Sequence, residues 1–391
     1  MKKKLLAAIM AAVMVAGLTA CGSAPAEEAA APATEEAAPA EEAAPAEEAA
    51  PAEEAPAEEA APAEEAAPAE EEAPAEEAAP AEAAATESYD PVTLNIAYMP
   101  NYGSLWSVLT AKEKGFFEEV GITVEMVEFA DGPTIIAAME SGSIDIGYIG
   151  QGAHKLCING RASIFALSHI SNGDALIGGP GIAKVEDLAG KKVAYSSGSS
   201  SETILVDSLN SVGMSMDDIE AVDMDASAIV TAMLSGGVDA CATWSPNSLK
   251  ILEEMSDATK LTDNMSFSDK TVSLASWIVM PSYAAENRDI LVRFTKALFK
   301  AMDYAADDNY EEVSEYVAAQ VAQDYDSVYA QRGDADWLTG KEVSEGAANG
   351  EVEKYYEIQK QGFVDAGAVE VDPVPAVADY VMLDVMVEAG Q

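Results

Sequence analysis

The stretch Tyr195-Ser196-Ser197-Gly198-Ser199-Ser200-Ser201-Glu202 sets small hydroxyl side chains and a glycine at a strand-to-helix turn. Free N–H groups at a helix start, aided by the positive end of its dipole, make an anion seat that needs no arginine. Ser197, Gly198, Ser199 and Ser200 are therefore candidate ligand contacts, although such serines also serve simply as caps. Pro100-Asn101-Tyr102-Gly103-Ser104-Leu105-Trp106 adds an amide and aromatic walls through Asn101, Tyr102 and Trp106. Gly150-Gln151-Gly152-Ala153-His154 adds Gly150 and the hydrogen-bonding amide of Gln151, while His154 reads equally well as an ordinary helix residue. Trp244, ahead of Pro246, can cover a ligand or stack on a ring. Asp174 and Asp225 could pair with a cation or merely cap turns. Neutral donors joined to carboxylates would suit a small zwitterion. A neutral ring would instead lean on Tyr98, Tyr102, Trp106 and Trp244.

Other chemistries find little footing. The chain has no Gly-x-Ser-x-Gly, P-loop or His-Glu-x-x-His pattern, so hydrolase, nucleotide and metalloprotease readings lack their motifs. His154 and His169 are its only histidines, and no cysteine pair stands at ligand spacing, so neither a metal nor a cofactor is expected. Cys157 and Cys241 sit among small or apolar residues and read as buried thiols, with a disulfide left open.

The elements that carry these turns follow an unusual leader. Lys2, Lys3 and Lys4 precede an apolar run over 5–18, too short for a comfortable membrane span and suited to an export signal. Leu18-Thr19-Ala20-Cys21 resembles a bacterial lipobox, which implies that Cys21 is lipidated and becomes the first mature residue. Residues 21–88 are almost wholly Ala, Pro and Glu, in repeats such as Ala44-Pro45-Ala46-Glu47-Glu48-Ala49. A proline every five or six residues leaves barely one helical turn between breaks, and no large apolar side chain offsets the entropy of ordering. The tract reads as a disordered tether, reaching on the order of 45 Å as a coil and roughly 200 Å as polyproline II.

Net charge is −48, from 69 acids and 21 bases. Twenty-one glutamates lie in the tether, so residues 89–391 still carry a net charge near −30. Such a surface excludes nucleic acid and general adhesion to anionic membrane as partners.

Over 89–391 apolar runs alternate between strand and helix periods. Strands are expected at 92–98, 123–129, 144–149, 163–170, 192–195, 219–224, 238–243 and 272–279, with helices between, the first over 105–120. Beyond 286 the pattern is mostly helical. This predicts an α/β fold with parallel-rich sheets in two lobes: 89–171 with 275–391, and 172–274 inserted. The chain would cross the hinge near 171–182 and 266–275. Ligands of such folds lie at strand ends in the crevice between lobes.

Short motifs then line up with a known group. Gly115-Phe116-Phe117-Glu118-Glu119-Val120-Gly121-Ile122, Gly142-Ser143-Ile144-Asp145-Ile146-Gly147 and Asp187-Leu188-Ala189-Gly190-Lys191-Lys192-Val193-Ala194 come in order, followed by Gly237-Val238-Asp239-Ala240 and Trp244-Ser245-Pro246. Together they resemble the solute-binding proteins of ABC importers, in the nitrate, sulfonate, taurine and thiamine-precursor group. The resemblance implies a type II periplasmic-binding-protein fold and a monomeric, non-enzymatic receptor that passes a small solute to an ABC permease. It also implies that Trp244 faces the cleft, and it matches Asn172-Gly173-Asp174-Ala175-Leu176 to a stretch of taurine-type members. With the lipobox, the expected location is the outer face of the bacterial cytoplasmic membrane, or the periplasm. The expected solute is sulfonate-, taurine- or amino-acid-like. The alternatives are a thiamine-precursor-like pyrimidine, or a surface adhesin that transports nothing.

Overall fold

The structure, a computed structural model, describes residues 89–391. The leader, Cys21 and the Ala/Pro/Glu tract lie outside the described residues.

Two mixed sheets organise the chain. The first section runs β1 (Val92–Tyr98), α1 (Tyr102–Glu113), α2 (Phe116–Glu119), β2 (Ile122–Glu128), α3 (Gly132–Glu140), β3 (Ile146–Ile149), α4 (His154–Ile158) and β4 (Ser163–Ser171). The second runs β5 (Asp174–Gly178), β6 (Lys192–Tyr195), α5 (Ser200–Ser211), β7 (Glu220–Asp223), α6 (Ala226–Leu234), β8 (Ala240–Trp244), α7 (Asn247–Glu254) and β9 (Thr259–Asp263). The chain then returns through β10 (Leu274–Val279), α8 (Pro281–Glu286), α9 (Arg288–Tyr304), α10 (Tyr310–Val321) and α11 (Tyr325–Ala330). It ends with β11 (Ala335–Asp336), α12 (Gly340–Asn349), α13 (Glu351–Asp365) and α14 (Leu383–Ala389).

Sheet order is β11-β4-β10-β3-β1-β2 in one lobe and β7-β6-β8-β5-β9 in the other. The chain changes sheets between Ser171 and Asp174 and again between Asp263 and Leu274. β1 runs parallel to β2 and β3, whereas the returning β10 is antiparallel to β3 and β4. In the second sheet β6 is parallel to β7 and β8, and β5 is antiparallel to β8 and β9. The sheets are thus less uniformly parallel than the alternation suggests, because each contains a strand that arrives from the hinge.

Side-chain alternation explains the double-sided core of the second sheet. Leu176 packs with Val193 and Leu205 on one face, while Ile177 packs with Ile229 and Met233 on the other. In the first sheet Leu94, Ile96, Ile146 and Trp277 join Phe294 of α9 in one buried cluster. Each such side chain contributes about 1.5–3 kcal/mol by leaving water. Trp277 is therefore a core residue, 1 % exposed.

Three expectations change. The single helix over 105–120 is two, because Gly115 adopts φ of +74° just past Lys114, the C-cap of α1. β5 forms at Asp174–Gly178, where no strand is expected, and every residue of it is buried. β9 is a polar edge strand whose composition, Thr-Lys-Leu-Thr-Asp, carries little strand signal. Cys157 and Cys241 are both free and buried, in separate lobes, and burial pushes both thiols up, Cys241 to about 12.

Candidate functional site

A cavity of about 70 Å³ lies where the two lobes meet. One water needs roughly 10–15 Å³ on the same measure, so the space suits a ligand of several non-hydrogen atoms. Strand ends and hinge strands build it. Asp174 and Trp244 are direct neighbours in the antiparallel register of β5 and β8, which sets a carboxylate beside an indole at the mouth of the second sheet. Across from them, β3 contributes Tyr148 and β4 contributes His169. The turn before β11 contributes Gln331 and Asp334, followed by Trp337.

Asp174 is 3 % exposed, and its Oδ2 accepts from Asn264 Nδ2 at 2.9 Å. Burial pushes its carboxyl above the usual range, offset only in part by hydrogen bonds from Ser200, Asn264 and Ser273. Asp334 is pushed up to about 6, chiefly by burial and further by the neighbouring Asp174. Its backbone carbonyl accepts from Asn172 N, so both acids flank the first hinge crossing. His169 is held down to about 3 by burial, hence neutral, with Nδ1 3.1 Å from Ser168 Oγ. Tyr148 is likewise raised by burial and by Asp174. No lysine or arginine lines the cavity among the described residues. The site is an electronegative box with aromatic walls.

The predicted contacts divide. Asn101, Gly150, Gln151, Asp174, Ser199, Ser200 and Trp244 all line the cavity. Asn101 also caps α1, its Oδ1 accepting from Ser104 N at 2.9 Å. Gln151 reaches Thr271 Oγ1 at 3.4 Å. Tyr102 and Trp106 are fully buried one layer behind, each with its ring 5.1 Å from that of Trp337. The aromatic wall that meets the cavity is Trp337 itself. Ser197 and Gly198 lie off the cavity: Ser197 N donates to Asp223 Oδ1, and Gly198 N to Glu202 Oε2. Asp225 sits in a separate groove as the cap of α6, and its hydrogen bond from Ser227 holds it below the usual carboxylate range.

The turn just ahead of α5 is already occupied. Glu202 places its own carboxylate against Gly198 N at 3.0 Å, and Lys155 Nζ stands 2.6 Å from it. Gly152 of the opposite lobe covers the same turn so closely that a Cβ there would fall 2.0 Å from the Ser199 carbonyl. His154 lies in the core of the first lobe, its Nδ1–H donating to Gln359 Oε1 at 2.8 Å.

Several lining residues carry no sequence signal of their own. Ser245 stands inside the Trp244-Ser245-Pro246 motif, where only the tryptophan is singled out by its side chain. Tyr148 and His169 stand at or near the ends of expected strands, where crevice residues belong. Gln331, Asp334 and Trp337 lie in the helical C-terminal third, whose polar turns look alike before the chain is folded.

Comparison with known proteins agrees with this architecture. A taurine-binding periplasmic protein of Escherichia coli is 29 % identical over 190 residues, covering 48 % of this chain and 58 % of its own. A protein of Brucella abortus, named as a candidate binding protein, is 28 % identical over 297 residues, 75 % of this chain and 92 % of its own. The alkanesulfonate-binding protein of Xanthomonas axonopodis pv. citri, solved with MOPS, superposes with a TM-score of 0.56 at 20 % identity, over 75 % of this chain and 99 % of that one. That likeness shows the periplasmic-binding-protein fold. The NMT1/THI5-like family matches residues 104–312, more than half of the sequence, and the chain belongs to that family.

Proposed function

We propose that this chain is the extracytoplasmic solute-binding component of an ABC importer. It captures a small polar solute between its lobes and delivers it to a membrane permease. The carrying observation is the buried polar cavity at the lobe junction, lined from both sheets and from the hinge strands. A receptor of this kind binds and releases without turnover. The names of the E. coli and X. axonopodis relatives, for taurine and alkanesulfonates, support the solute-receptor reading. Cys21 and the Ala/Pro/Glu tract would anchor it by lipid at the outer face of the membrane, and tethering raises its effective concentration at the permease.

Among the solutes expected from sequence, a ligand with an amino or N–H-donating group fits the cavity better than a bare sulfonate. Asp174 and Asp334 would repel an anion. A flat ring such as a pyrimidine is favoured by the indoles of Trp244 and Trp337 in the lining. The test is a thermal-shift screen of ligand-stripped protein with taurine, alkanesulfonates, amino acids, amines and pyrimidines. A ligand at a hundredfold excess over Kd stabilises by about 2.7 kcal/mol, which is readily visible. A screen without a single shift would rule out the receptor role as framed, while conversion of a ligand by mass spectrometry would make the protein an enzyme.

A further inference from the structure

We infer that the solute presents a positive charge, an ammonium or amidinium, to Asp174 and Asp334, and that ligands whose only charge is negative are refused. This rests on the receptor reading above and adds the sign of the ligand.

Three independent observations carry it. The two carboxylates come from opposite sides of the hinge and meet in one buried cavity with no basic side chain among its described lining residues. Asp334 Oδ2 is buried without a well-formed hydrogen bond, and the hydroxyls of Ser245 and Ser273 stand beside the Asp334 and Asp174 carboxylates. Ser245 and Ser273 are 8 % and 5 % exposed and both line the cavity. Buried polar atoms left unpaired cost free energy unless a ligand satisfies them. Finally, at the turn before α5 Glu202 already accepts from Gly198 N, so a carboxylate rather than a base stands beside the serines that line the cavity. A cavity with two carboxylates and no basic side chain among its described lining residues selects for donors and positive charge.

The aromatic walls extend the same preference. Trp244 and Trp337 line the cavity, and an indole attracts a desolvated cation through its ring quadrupole. A zwitterion such as taurine would satisfy the acids with its ammonium but leave its sulfonate without charged donors. It should therefore bind between a plain cation and a plain anion.

Two matched series test this by calorimetry on the full chain, stripped of ligand: benzamidine, benzamide and benzenesulfonate, and propylamine, taurine and propanesulfonate. In whichever series fits the cavity, the cation should bind about tenfold or more tighter than its neutral or zwitterionic partner, and the sulfonate should not bind measurably. Asp334→Asn should cost the cation about tenfold to a hundredfold while narrowing the gap to the sulfonate. Removing one of two like charges should leave the fold intact, which the thermal midpoint checks, and the wild-type ranking stands without the variant. A sulfonate that binds as tightly as its cationic counterpart would overturn the inference and leave the receptor role standing. Absence of binding by all six compounds would overturn the inference, and the thermal-shift screen then decides the receptor role.

Discussion

Lys155 Nζ lies 2.6 Å from Glu202 Oε2, joining α4 of one lobe to α5 of the other across the mouth of the cleft. The same Glu202 Oε2 accepts from Gly198 N at 3.0 Å, just ahead of α5. Both side chains keep about a fifth to a quarter of their exposure, so solvent screens the pair. Its worth is therefore on the order of 0.2–1 kcal/mol. Glu202→Gln should weaken ligand affinity about two- to fivefold, with a larger effect at low than at high salt, measured by calorimetry at two ionic strengths. A salt-independent loss would mean that the carboxylate acts through Gly198 rather than Lys155.

Gly152 sets how far the lobes can close. A Cβ on it would fall 2.0 Å from the Ser199 carbonyl carbon and 2.4 Å from Ser200 N, both backbone atoms that cannot rotate away. Gly152→Ala should hold the cleft ajar and lower ligand affinity at least tenfold. The two sheets do not share this contact in their cores, so the thermal midpoint of ligand-free protein should move by only a degree or two. An affinity within twofold of the original would show that capture does not require this closure.

That contact also shows where the sequence stops informing. Strand-to-helix turns at 101, 150 and 199 are readable, because hydroxyl, amide and glycine residues cluster at changes of period. Which side chain of a turn reaches inward is a matter of packing. Tyr102 and Trp106 have the right type but sit behind Trp337, since α1 turns them into the first-lobe core. Ser197 and Gly198 share a motif with Ser199 and Ser200, yet the left-handed Gly198, φ +77°, directs the first pair to Asp223 and Glu202. Asp334 reaches the site only because β11 adds to β4 at its Ser171 end, a two-residue pairing that no periodicity announces.

The histidines give a direct reading of burial. His154 and His169 are each lowered by burial from 6.5 to about 3. A depressed folded pKa contributes stability that is full above the unfolded value near 6.5 and is lost as pH falls toward 3. With only two histidines in the chain, their proton resonances are simple to follow. Neither should titrate between pH 8 and 5 while the protein stays folded. A midpoint near 6.5 for His169 would mean that the cavity is open to water in solution.

Asp334 has the opposite sign. Its folded pKa is raised from 3.8 to about 6, so the native state holds the proton more tightly than the unfolded chain. The stability it contributes is full below about pH 4 and is lost as pH rises through about 6. Asp174 adds its own raised carboxyl in the same cavity, Lys260 acts more weakly in the other direction, and His169 stays neutral across this window. Asp334→Asn removes the penalty. The thermal midpoint of ligand-free Asp334→Asn should thus match wild type near pH 4 and exceed it by a few degrees at pH 7, on the order of 2 kcal/mol. Affinity for a cationic ligand should run the other way in wild type, rising from pH 5 to 7 as Asp334 ionises, and should be nearly flat in the variant. Parallel pH curves for the two proteins, in stability and in affinity alike, would mean that this carboxylate does not face its neighbour in the closed cavity.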